Sequence, residues 1–342
     1  ESQYASKVAK YLNTEHSTMK VSDKDVIDVI KSLPSIYDEP FADSSQIPTY
    51  LVSKAAKRTV SVVLSGDAGD EIFGGYNRYI WVPRLWRWMR FIPFNLRNRF
   101  SKLIISININ TWNKIFSNLK INRPGQKLHK FAEAMLDVKS SKDLYFNITR
   151  QWKNPEILVK GLSDKIDYDS FFSKKKFIIK KNLPDSEQMM LLDSLSYLPD
   201  DILVKVDRAA MALSLETRVP FINREIIDLA WRMKPDFKIK KNLSKNPLRS
   251  ILNKHLPMDL INRPKSGFGL PIGEWLRGPL FDWADKLLDK KKIENDGFFF
   301  SAPIQEAWSQ HLSGATDHSA KLWSILIFQA WLEKEYSDAG IK

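Results

Sequence analysis

Residues Thr59 to Leu64 form a short, β-branched and almost wholly apolar run. It leads without a spacer into Ser65-Gly66-Asp67-Ala68-Gly69-Asp70-Glu71-Ile72-Phe73-Gly74-Gly75-Tyr76. An apolar run of this length predicts a strand covered on both faces, the kind found in parallel sheets. In open α/β sheets, ligands bind beyond the carboxyl ends of such strands. A loop holding four glycines and three carboxylates at that position is therefore the leading candidate for a site.

The flanking pattern has the rhythm of an α/β domain. Residues 5–12 read as the end of a helix and His16 to Val21 as a short strand. Val26, Ile27, Ile30 and Leu33 have helical spacing, with Ser22 or Asp23 as cap and Pro34 beyond the end. Pro48 opens another helix with Ile47, Leu51 and Ala55 on one face. Trp81 to Phe116 predicts helices of basic and aromatic character. That character could suit a membrane surface or an RNA, but aromatic stripes mostly serve cores, so inward packing is expected. Residues 120–185, with the lysine runs at 174–176 and 180–181, read as solvated faces and loops. From Glu187 onward the periodicity is helical. The expected organisation is an α/β portion over 1–80, a helical insertion over 81–186 and a helical portion over 187–342.

The chain has 342 residues, 43% hydrophobic and 27% charged, which is enough to bury a sizeable core and excludes global disorder. It has no cysteine, which excludes disulfides, thiolate zinc sites and a cysteine nucleophile within it. Its net charge of +13 favours anionic partners. The lysines are spread over 174–181, 238–245 and 290–292, which argues against a single nucleic-acid face. No stretch of 18 apolar residues occurs, so no membrane span is expected.

Three clusters could carry chemistry. In the first, small residues let the backbone approach a ligand, and the helix that follows favours anions. Asp67, Asp70 and Glu71 would repel a phosphate unless a cation lay between, which is a magnesium arrangement. The alternative is helix capping, with Ser65 or Asp67 as N-cap and Asp70 and Glu71 in the first turn. The second cluster runs from Leu198 to Arg208. Asp201, Lys205 and Arg208 fall on one helical stripe, which also describes an ordinary surface ion-pair row. Just beyond it, Glu216 and Arg218 read as semi-buried structural partners. The third is Arg263-Pro264-Lys265-Ser266-Gly267-Phe268-Gly269-Leu270-Pro271, a shaped loop whose lysine could clamp a phosphate or serve only as a turn residue. The five histidines have no metal-ligand spacing.

In order and spacing, these three clusters together resemble the synthetase part of the glutamine-hydrolysing asparagine synthetases. Residues 37–45 and the tail 322–332 extend the resemblance over nearly the whole chain, which is most like the long bacterial members. The resemblance implies a parallel sheet of the adenine nucleotide alpha hydrolase-like (ATP pyrophosphatase) type, joined to a large, mainly helical C-terminal half. It also implies ATP and Mg2+, an aspartate side chain adenylated to β-aspartyl-AMP, and ammonia that displaces AMP to give asparagine. Ammonia would come from a glutaminase domain that is absent from this chain. Carried over by position, Asp70 is the magnesium ligand, with Asp67 and Glu71 assisting. Ser65 and Gly66 lie against the nucleotide, and Lys265 neutralises charge on the phosphates. Asp43, Ser44 and Asp201 fall in the region of the substrate.

The family's pyrophosphate loop, Ser-Gly-Gly-x-Asp-Ser, does not occur in this sequence. The chain is therefore expected to be the C-terminal part of a synthetase, inactive by itself. Ala68 stands where glycine is usual, Asn223 where aspartate is frequent and Thr217 where alanine is frequent. The resemblance further implies a cytoplasmic enzyme, a homodimer being one option. A relative that amidates another carboxylate, such as a surface-glycan sugar acid, would use the same loops, and a non-catalytic basic binding protein is a further alternative.

Overall fold

The computed structural model describes residues 2–118, 123–162, 183–240, 243–261 and 270–340. It is a mostly helical α/β structure with a small parallel sheet. The chain divides into two compact units. The first comprises residues 1–39, 43–80 and 186–270; the second comprises 40–42, 81–185 and 271–342.

The first unit holds the sheet. Strand β1 (Val62–Leu64) pairs in parallel with β2 (Glu216–Arg218), in the register Val62 to Glu216, Val63 to Thr217 and Leu64 to Arg218. The expected parallel strand is present, but the expectation that both its faces are covered fails. Val62 is 48% exposed and Leu64 77%. Two three-residue strands are all the sheet among the described residues, so little packs over them. Alternation sets Val62, Leu64, Glu216 and Arg218 on one side. That is why Glu216 and Arg218 are not semi-buried. They form an exposed ion pair at 2.5 Å.

Helix Asp23–Ile36 begins with a capping box. Ser22 Oγ accepts from the Asp25 N–H at 3.2 Å, and the Asp25 carboxylate accepts from the Ser22 N–H at 2.9 Å. Pro34 lies inside this helix rather than beyond it. Its ring removes one hydrogen bond near the last turn, and burial of Val26, Val29, Ile30 and Leu33 holds the helix on to Ile36. Residues 16–21 have no regular structure, against the expected strand. Helix Gln46–Ala56 starts two residues before Pro48 and packs on helix Val204–Met211. Behind the glycine-rich loop lies a core of Ala68, Ile72, Phe73, Leu198, Ile202 and Ala230.

The second unit is built around helix Ser319–Asp338, which buries Leu322, Trp323, Ile325, Leu326, Ile327 and Leu332. It packs against helices Ile272–Trp275, Phe281–Leu287 and Ser301–Leu312. His311 is structural: it stacks on Trp308, its Nε2 lies 3.1 Å from the Gly273 carbonyl, and burial pushes its pKa down. Part of the segment expected as loops is helical, over Pro124–Met135 and Ser141–Thr149. The lysine runs at 174–176 and 180–181 lie outside the described residues. No helix among those described is long and apolar enough to cross a membrane.

Candidate functional site

The loop after β1 is tied to the sheet by the Ser65 N–H, which donates to the Arg218 carbonyl at 2.8 Å. Ser65 Oγ hydrogen-bonds to the Asp67 carboxylate and accepts from the Asp67 N–H at 3.2 Å. These bonds close a side-chain turn that turns Ser65 and Asp67 toward each other. They overturn the N-cap part of the capping alternative, although Asp70 and Glu71 do lie in the first turn of the helix that follows. The N-cap of helix Gly69–Phe73 is Ala68, with φ +68° and no side-chain cap. Ser65 and Asp67 stop short of the helix because their polar atoms already satisfy one another.

Glycine is required at the far end of the loop. A Cβ on Gly75 would stand 1.8 Å from Asp70 Oδ1 and 2.4 Å from Lys245 Cε. Gly75 thus lets Asp70 and Lys245 meet, and Lys245 Nζ lies 3.1 Å from Asp70 Oδ2. Glu71, the third carboxylate, takes no part in this contact. It is 1% exposed and accepts from the Tyr76 hydroxyl at 2.6 Å. Burial raises its pKa, partly opposed by the Tyr76 hydrogen bond. Beside it, the Arg78 guanidinium lies 4.0 Å from the centre of the Tyr76 ring and bonds to Asp193 at 2.8 Å. Tyr79 donates to the same Asp193 oxygen. This buried polar wall fixes the direction in which the loop leaves the sheet.

Ser65, Gly66 and Asp67 form one wall of a cleft of about 520 Å³. Its apolar lining comes from Val52, Val63 and Leu215, and Thr217 reaches it from the cleft-facing side of β2. Nothing stands within 4 Å of the position a Gly66 Cβ would take, so that wall is open. The size is that of a small-molecule site.

Lys205 lines the same cleft and is buried. Its Nζ donates to Asp43 Oδ2 and to Ser45 Oγ, both at 2.8 Å. Ser45 Oγ donates to Asp43 Oδ2 at 2.6 Å, and the Ser45 N–H to Oδ1 at 2.9 Å. The Tyr37 hydroxyl donates to the Lys205 carbonyl at 3.3 Å. Burial would raise the Asp43 carboxyl, but the Lys205 ammonium and these hydrogen bonds outweigh it and hold Asp43 below the usual range. Asp201 goes the other way. Burial, the Asp43 charge and a hydrogen bond to Asp43 push it up to about 7. Two carboxyls in contact do not both ionise readily, and the lysine decides which one does.

The surface ion-pair row read from residues 201–208 is therefore corrected. Leu198–Leu203 is a π-helical turn, which precedes helix Val204–Met211. Lys205 points inward, whereas Arg208 stays exposed and pairs with Asp38 at 2.6 Å. Ser44 occupies the turn before helix Gln46–Ala56, its carbonyl accepting from the Ile47 N–H at 3.3 Å. The structure thus brings Ser65, Gly66 and Asp67 to the cleft wall and joins Asp43 to Asp201. Lys265 lies outside the described residues. Ser45 and Lys245 carry no sequence signal that singles them out, and in the sequence Lys205 reads only as one member of a helical charge stripe. For Lys205 the available signal was its place four residues after Asp201, next to the apolar face of its helix.

Among the described residues no group of three or more His, Asp or Glu is placed to hold a metal ion. Magnesium bound with phosphates needs only one or two protein carboxylates, the rest of its shell being water and phosphate oxygen. Asp67, half-buried at the cleft wall, and Asp70, half-buried and paired with Lys245, are the carboxylates of the loop that fit that demand. Glu71, turned inward onto Tyr76, does not.

Fold and site define an α/β protein with a small-molecule cleft at the carboxyl end of a parallel strand, one wall acidic and glycine-rich, the other carrying a buried lysine. The chain belongs to the asparagine synthase family, whose model matches residues 1–333. It is 27% identical over 339 residues to asparagine synthetase [glutamine-hydrolyzing] 1 of Bacillus subtilis, covering 97% of this chain and 50% of that protein. Asparagine synthetase [glutamine-hydrolyzing] 3 of the same organism is 25% identical over 320 residues, covering 87% and 43%. A Mycobacterium tuberculosis relative is 28% identical over 328 residues, covering 94% and 47%. The chain spans about half the length of the curated relatives it matches.

Proposed function

We propose that this chain carries the ATP-dependent, amide-forming step of asparagine synthesis, in a sheet of the ATP pyrophosphatase type. The observation that carries the reading is the cleft itself, with the Ser65–Asp67 loop on one side and the Lys205–Asp43 pair on the other. Ser65 and Gly66 receive the nucleotide, because an open wall of small residues admits close backbone approach. Asp67 and Asp70 hold magnesium, which would neutralise phosphate charge during adenylation. Glu71 serves from behind by fixing Tyr76. Lys265 supplies positive charge to the phosphates.

In the first step an aspartate carboxylate oxygen attacks the α-phosphorus of ATP. A carbon-bound oxygen joins phosphorus, the α–β bridge breaks, and pyrophosphate leaves. In the second step the ammonia lone pair attacks the acyl carbon. AMP leaves with the bonding electrons, and the nitrogen loses a proton. Asp43, Ser44 and Asp201 border the acceptor side, and Lys205 holds Asp43 in its ionised state there. The nitrogen comes from glutamine through a separate catalytic unit.

The test is pyrophosphate release from ATP on addition of aspartate, using the full-length protein with ammonia and then glutamine as nitrogen source. Asp70→Asn or Lys265→Ala abolishes release. Residues 1–342 alone bind ATP weakly and form no asparagine from glutamine. Unchanged release in both variants refutes the assigned site. Release triggered by a sugar acid but not by aspartate refutes the assigned acceptor while leaving the chemistry in place.

A further inference from the structure

Helix Phe94–Ser106 is built inside out. Its buried positions are Arg97 and Ser101, four residues apart, at 7% and 0% exposure. Leu96, Phe100 and Leu103, which share a stripe, are 46%, 55% and 57% exposed. The Arg97 guanidinium sits over the Trp86 ring and its Nε donates to the Ile92 carbonyl at 3.1 Å, while its Nη1 and the Ser101 hydroxyl are buried without a hydrogen-bond partner. The aromatic segment was expected to pack inward, and part of it does, as with Trp112 stacked on Phe116. Trp88 and Phe91, however, are 77% and 72% exposed, and Ile92 is exposed beside them. Outward apolar residues in this number, on consecutive stretches of chain, mark an interaction surface.

The charge around them identifies the partner's chemistry. Between Glu71 and Glu133 the sequence has no Asp or Glu at all, while Lys and Arg occur twelve times. Arg87, Arg90, Arg99 and Lys102 are exposed among the apolar residues just named. A second copy of the chain would bring like charges together, which disfavours self-association through this face. A nucleic acid would satisfy the charge, but exposed Leu96, Leu103 and Ile92 gain nothing from phosphates. A cationic polar face beside outward Trp, Phe and Leu is the composition of helices that lie in the interfacial plane of a membrane.

We propose that residues 84–103 form a peripheral docking surface for anionic lipid bilayers, with Trp88, Phe91, Phe100 and Leu103 entering the interface and the arginines binding headgroups. The inference does not depend on the amidation chemistry.

The experiment is co-sedimentation of the full-length protein with vesicles of phosphatidylcholine alone, or containing about 30 mol % phosphatidylglycerol. The protein sediments with the anionic vesicles and not with the neutral ones. Phe91→Ser with Leu103→Ser lowers the partition about tenfold. Arg87→Gln with Arg90→Gln does so by a similar factor, most clearly at low salt. All four positions are on the surface, and unchanged circular dichroism checks that the fold is retained. Four results would each overturn the proposal. They are no vesicle binding by the full-length protein, binding that neither double variant weakens, an oligomer that Phe91→Ser with Leu103→Ser dissolves, and an RNA oligonucleotide bound in preference to anionic vesicles and released only by the arginine variant.

Discussion

Lys205 and Asp43 are 162 positions apart in the chain, yet the lysine ammonium lies 2.8 Å from the carboxylate, beside the cleft. The contact locks the helix that follows the π-helical turn to the turn that precedes helix Gln46–Ala56. It also sets the charge state of a third group, Asp201, which shares a hydrogen bond with Asp43. One buried lysine thereby fixes both the shape and the ionisation of this side of the cleft.

Removing one partner of that pair leaves a buried charge without compensation. Lys205→Met is expected to destabilise the protein by about 3 kcal/mol. Adding Asp43→Asn to it should recover part of the loss. Thermal unfolding of the two single variants and the double variant measures the coupling, and strictly additive losses would deny the contact any energetic role.

Asp201 gives stability a pH dependence of defined sign. Its folded pKa, about 7, is above its unfolded value, so the folded state holds the extra proton. Its contribution is fully present in acid and is lost as pH rises toward and through 7. Asp201→Asn, which mimics the protonated form, should match the parent near pH 4 and become progressively more stable than it up to pH 7, with a constant gap beyond. Melting temperatures across that range test this, and a gap independent of pH would contradict it.

Ala68 adopts φ +68° in a position where glycine is the unstrained choice. Ala68→Gly should stabilise the loop by about 1 kcal/mol. Denaturant unfolding reads this directly, because the Ala68 side chain is in contact with the core only through one methyl group. Loss of stability would mean that packing of that methyl outweighs the backbone strain.

Gly75→Ala should do the opposite. The new methyl would collide with Asp70 and Lys245, so either their ion pair opens or the loop shifts, with a loss of about 2 kcal/mol. Pyrophosphate release should fall with it, since Asp70 is displaced. A variant with parental stability and rate would show that the loop yields without consequence.

Much of the architecture was legible because it is local. Apolar β-branched residues ending in a glycine-rich loop announced a parallel strand with a site at its end, and that is where the cleft lies. Helical spacing over Asp23–Ile36 and after Glu187 likewise reported real helices. His16–Val21 misled because a six-residue segment with only Met19 and Val21 apolar has too little to bury to hold a strand.

What sequence determined by itself is therefore the strand before the acidic loop, that loop and most of the helices, together with membership of the family, whereas β2 (Glu216–Arg218) fell inside a portion expected to be helical. Tertiary structure decided the rest. It turned Lys205 inward onto Asp43, took Glu71 out of the cleft and onto Tyr76, and left Glu216 and Arg218 in solvent. It also buried Arg97 while exposing Leu96 and Phe100. Periodicity says which residues share a face, but the side that is buried depends on what packs there, and for these residues the partners come from distant segments.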